Sequence, residues 1–135
     1  GMVTSGDFVY TDVDGNVFTN ATLPMDTAGY EAGFDTIVKS QANTFTWTGN
    51  ALASGESIGL FVGSWTWGED ALFYQGQSGA TNLIMGINQM ANLAEGTSTV
   101  YMDRKNTSTS IDGTSEGGTI KSTYRPVNVQ VQVVP

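Results

Sequence analysis

With 135 residues, 39% of them hydrophobic and including six Phe, five Tyr and three Trp, the chain suits one folded domain burying roughly two thirds of its unfolded surface, and its aromatic content excludes the disordered class. It contains no Cys and no His, which excludes disulfides, thiolate nucleophiles, thiolate-bound zinc and the Ser-His and Cys-His pairs of covalent catalysis. Thirteen acidic against five basic side chains give a net charge of -8, a field that repels nucleic-acid backbones and anionic membrane surfaces.

Gly1-Met2 reads as a tag scar before a native start, with residues 1–6 as a flexible leader and 7–135 as a single domain; a trimmed signal with Met2 internal is the alternative. No run of about eighteen apolar residues occurs, so membrane insertion is not expected. The next segment, DFVYTDVDGNVFTNA (7–21), alternates around Asp14-Gly15 and predicts a hairpin with a type I′ turn. Residues 25–34 read as loop and 35–38 as a short strand. In NTFTWTG (43–49), Phe45 and Trp47 share one face and Thr44, Thr46 and Thr48 the other, the pattern of a half-buried strand.

ALASGESIGLFV (51–62) and NLAEGTSTVYM (92–102) share Leu-Ala-x-Gly-x-Ser before a strand. Each copy predicts a Leu tucked under a sheet, a Gly at a turn and a departing strand. Through GLFVGSWTWGED (59–70), uninterrupted alternation would put Phe61, Trp65 and Trp67 on one face as an exposed platform. A β-bulge at Gly63-Ser64 would instead reverse the parity, burying Trp65 and Trp67 with Ile58, Leu60 and Val62 and leaving Phe61 outward. Burial of two tryptophans favours the bulge; a loop covering one end of the fold is the third possibility.

Leu72-Phe73-Tyr74 and Leu83-Ile84-Met85 predict a second hairpin across a Gly-Ser turn. The spacing of Leu83, Ile87, Met90, Ala91 and Ala94 predicts a helical turn at 88–94. KNTSTSIDGTSEGGTIKS (105–122) predicts a long hairpin with a mobile tip. In the terminal segment, Val127, Val129, Val131 and Val133 alternate with Asn128, Gln130 and Gln132, predicting a strand that pairs with a sheet or with a neighbour's edge. Dense Gly punctuation and short alternating runs predict an all-β, antiparallel sandwich, jelly-roll or Ig/transthyretin-like, of seven to nine strands.

Little of this carries chemistry. Adjacent carboxylates such as Glu69 and Asp70 diverge on an extended chain; a hydrolase would need a pair from separate strands, for example Glu56 with Glu69. Asp12, Asp14 and Asn16 open like an EF-hand loop, but Val17 and Leu23 stand where it needs Gly and Glu, so a turn is the better reading. Asp112 and Glu116 form a second acidic tip that could bind calcium weakly, but a solvated turn is the better reading here too. The sequons at Asn20 and Asn106 are of the kind chance supplies in a chain rich in Asn, Ser and Thr. GESIGLFV (55–62) is similar to a Gly-acid-x-Ile-Gly phrase of fimbrillin-like pilus and adhesin subunits; the resemblance covers eight residues and carries no site.

The expected function is therefore non-enzymatic and without cofactor or metal: a structural subunit of a particle or fibre, in a virion or at a cell surface, with protein partners and homo-oligomerisation. The alternative is a carbohydrate-binding module or adhesin using Trp65, Trp67 and Tyr74. A carboxylate hydrolase is third.

Overall fold

The computed structural model describes residues 2–3, 6–64, 66–109, 112–113 and 117–135. Its strands are β1 (Met2–Val3), β2 (Asp7–Thr11), β3 (Val17–Ala21), β4 (Met25–Asp26), β5 (Thr36–Val38), β6 (Asn43–Thr46), β7 (Glu56–Gly63), β8 (Asp70–Gln75), β9 (Asn82–Met85), β10 (Gly96–Ser108), β11 (Ile120–Tyr124) and β12 (Val129–Val134), joined after β9 by a 3₁₀ turn at Ile87–Met90. The all-β, sandwich-like architecture agrees with the sequence. Ten of these strands have three residues or more, slightly above the number expected.

The main sheet runs β5-β12-β10-β7-β8, and β11 pairs the second half of β10. Facing it is the β6–β9 ladder, whose Phe45, Leu83 and Met85 join Ile58, Leu60, Val62, Phe73 and Val131 in one core. Alternation decides which side chains go in: Val100 and Met102 are buried while Tyr101 between them is exposed, as a period of two requires. Tyr30 closes one end of this core, stacking on Phe34 at 6.1 Å and donating its hydroxyl to the Val100 carbonyl at 3.0 Å; burial pushes its pKa up to about 12.

The repeated Leu-Ala-x-Gly-x-Ser phrase behaves as expected. Leu52 and Leu93 are both buried, Gly55 and Gly96 take positive φ, and β7 and β10 depart from them as adjacent antiparallel strands. Other expectations are corrected. β8 and β9 are both strands, but β8 pairs β7 and β9 pairs β6; the chain crosses between layers there instead of forming a hairpin. The helical stripe becomes the short 3₁₀ turn, with Met90 buried and Ile87 exposed, because a single turn cannot present its whole stripe to the core.

β12 is not a free edge. It lies between β10 and β5, antiparallel to the first and parallel to the second, which departs from a purely antiparallel sheet. Val127 lies outside β12, 88% exposed. The cause is a register mismatch: Tyr124 pairs Arg104 and Val129 pairs Val100, so residues 125–128 span a gap that β10 crosses in one residue fewer, and the extra length arches off the ladder. At the other end of the chain, β1 pairs β4, so residues 2–3 stand in a two-stranded ladder.

Candidate functional site

Trp67 is 98% exposed, which overturns its expected place in the core. Alternation through Trp67 requires a strand continuing past Gly63, whereas β7 ends there and Gly63 pairs Asp70 of β8. Ser64 and Glu69 close the connection between the two strands through a 3.1 Å hydrogen bond from the hydroxyl to the carboxylate. Trp65 lies outside the described residues. Ile58, Leu60 and Val62 are buried and Phe61 is the outward aromatic of β7, which alternation requires with or without a bulge, and the strand ends at Gly63.

Tyr74 is exposed, on the outer face of the main sheet. Two register rows build a site around it: Tyr101, Phe61 and Leu72 form one, and Asp103, Gly59 and Tyr74 the next. Gly59 contributes no side chain, so the second row has a floor where its neighbours have walls. Phe61 leans over Gly63 and Tyr74 leans the other way over Gly76, and the divergence opens a groove of about 430 Å³ above Gly59. Phe61 and Tyr101 meet at 6.0 Å in a tilted pair.

The arch at 125–128 supplies the far wall, with Arg125, Pro126 and Asn128. Asp103 and Lys105 complete it, paired to each other at 3.6 Å. Its character is thus aromatic at the base and mixed-charge at the rim, with cations in excess. Trp67 does not line it.

The second feature is the β2–β3 hairpin, here termed the arm. Phe8, Val9, Tyr10, Val13 and Val17 are exposed to between 46% and 100%, so neither face of this two-stranded ladder contributes to a core. Registry places Phe8, Tyr10 and Phe18 on one face, with Tyr10 and Phe18 stacked at 6.1 Å. Its turn is not type I′. Gly15 N–H donates to the Asp12 carbonyl and Asp12 N–H to the Asn16 carbonyl, and only Gly15 has positive φ: a type I turn closed by a left-handed glycine. Asp112, at the far end of the β10–β11 hairpin, ties the arm down by accepting from Thr19 N–H at 3.0 Å and from Asn20 Nδ2 at 2.7 Å.

The acidic candidates are otherwise engaged. The Asp12 carboxylate accepts from Asn16 Nδ2 and from the Asn16 and Asp14 amides; the Asn16 side chain leads in holding its pKa below the usual carboxylate value. Among the described residues no group of three potential metal ligands comes together; Glu116 lies outside them. Glu56 opens β7 and Glu69 lies beyond its other end, so they do not face a common substrate.

Glu56 is buried against the fully buried Arg104. Arg104 Nε and Nη2 donate to its two carboxylate oxygens at 2.9 and 3.0 Å, and the remaining N–H groups reach the carbonyls of Asn50, Ala51 and Thr27. Burial alone would raise the Glu56 pKa, but hydrogen bonds from Arg104 and Ala53 N–H, with the Arg104 charge, bring it below the usual value. This is a structural clamp between the main sheet and the opposite loops.

No family model, curated protein or solved structure matches this chain. The function is therefore argued from these two surfaces alone. The sequence alone does not single out Tyr101, Asp103 and Arg125 as site residues. For the first two a signal existed, since alternation with Val100 and Met102 puts them outward; for Arg125 there was none, because its position depends on a long-range register mismatch.

Proposed function

We propose that this protein is a non-enzymatic structural subunit that works by assembling with other protein chains into a larger particle or fibre, of the kind found in virions or surface appendages. One observation carries the reading: the arm exposes large apolar residues on both faces of an isolated two-stranded ladder. A hairpin of this kind is marginal in water alone, and contiguous exposed apolar surface marks an interaction site. Sedimentation velocity of the full chain from micromolar to millimolar concentration tests it. Growth of larger species with concentration is expected; a single monomeric boundary throughout would refute it.

A second reading, carbohydrate binding, is favoured by the groove, where Tyr74 and Phe61 flank a glycine floor beside Asp103 and Asn128. Flat amphipathic rings next to hydrogen-bonding side chains suit sugar rings. Titration of a glycan panel against the parent and Tyr74→Ala, followed by NMR shifts of groove amides, distinguishes it: saturable shifts lost in the variant support it, and none with any glycan rules it out.

A further inference from the structure

We propose that the groove above Gly59 is the seat for the arm of a second copy of this chain. The inference rests on the assembly reading and names the partner of that assembly. It starts from complementarity of charge. Residues 7–21 contain Asp7, Asp12 and Asp14 and no basic residue, while the groove carries Lys105 and Arg125 against the single carboxylate of Asp103. In a chain with only five basic residues and a net charge of -8, two copies repel each other in general. Two of those five cations at one groove make it a place where an acidic arm is received.

Apolar complementarity follows the same geometry. The aromatic face of the arm sets Phe8 and Tyr10 two residues apart on one strand, roughly 7 Å. From Phe61 to Ser57 the groove runs along four residue steps of β7, on the order of 13 Å. Two rings at that spacing match it, one beside Phe61 and Tyr101 and the next against Tyr74, alongside the Asp103 carboxylate that lies at Gly59, with the Asp12–Asp14 turn directed at the cationic rim.

The seat is filled from another molecule. No residue of 7–21 lines the groove, and the arm of the same chain is held by Asp112 on the Asn20 side. Arm and groove are different patches, so the contact is heterologous, and repetition of such a contact gives rings or open filaments instead of closed dimers. That is the geometry a particle or fibre subunit needs.

The test uses the whole chain altered at positions outside the core: an arm variant, Phe8→Ser with Tyr10→Ser, and a groove variant, Gly59→Thr with Arg125→Glu. Gly59 has no positive φ, and a Cβ there would come within 2.8 Å of Asp103 Oδ1, so threonine fills the groove by pushing that carboxylate aside and touches no core residue; circular dichroism melts check that both variants fold. Sedimentation velocity is run on the parent, on each variant and on their equimolar mixture. The parent should form concentration-dependent oligomers, and each variant alone should associate at least about tenfold more weakly, as loss of central anchors does. The mixture should stop at a one-to-one dimer, since one intact arm meets one intact groove. A groove variant that associates like the parent, a mixture that stays monomeric, or a glycan that occupies the groove without disturbing association would overturn the inference while leaving assembly intact. A monomeric parent would remove both.

Discussion

Replacing Arg104 with methionine keeps the length and most of the apolar stem of the side chain but removes the charge from the clamp between the layers. Glu56 would then be a carboxylate 6% exposed with one remaining hydrogen bond, from Ala53 N–H at 2.8 Å. The carbonyls of Thr27, Asn50 and Ala51 would lose the guanidinium as a partner. Stranding one member of a buried ion pair costs about 3–5 kcal/mol, a large share of the 5–15 kcal/mol that holds a typical domain together. At about 4 °C per kcal/mol for a chain of this size, the expected fall in Tm is on the order of 10–20 °C.

Urea unfolding gives the same quantity as a lower midpoint at unchanged slope. Arg104→Met combined with Glu56→Gln should recover part of the loss, because the stranded charge is gone, but not all, because the carbonyls remain unsatisfied. A cost below about 1 kcal/mol, or single-variant effects that simply add, would refute the clamp.

Acid should weaken the same clamp. Glu56 titrates lower in the folded state than its ordinary value, so its contribution is complete above the unfolded pKa and disappears as the pH falls through the folded one. Melts across the acid range should therefore lose stability more steeply in the parent than in Glu56→Gln. Trp67→Phe, at a surface position, should change stability by less than about 0.5 kcal/mol while removing an iodide-accessible part of the emission; Trp47, buried, keeps its protected signal. Gly15→Ala forces a side chain into φ 83° and should cost about 1–2 kcal/mol within the arm, seen as faster amide exchange in 7–21 with the global melt unmoved.

What could be read in the sequence was what local periodicity encodes. Phe45, Trp47, Val131 and Val133 are buried where alternation put them, and the arm folds as the hairpin its punctuation implied. Misreadings fell where connectivity overrides local pattern. Leu72–Tyr74 and Leu83–Met85 look like hairpin partners at close range, yet the first pairs β7 within the main sheet and the second pairs β6 in the facing ladder. Trp67 has the hydrophobicity of a core residue, but a strand ending at Gly63 leaves it on a turn. The Arg104–Glu56 clamp joins residues 48 positions apart, and no short-range signal foretells it. The groove was half legible: Phe61 and Tyr74 could be placed outward, but the Gly59 floor needs β10, β7 and β8 in register and the Arg125 arch needs β11 and β12 on β10.

The most direct test of the assembly account is a sedimentation equilibrium comparison of the parent with Phe8→Ser/Tyr10→Ser at matched concentrations. The parent should show a mass that rises with concentration while the arm variant holds the monomer mass. Identical masses for the two chains at every concentration would contradict the account.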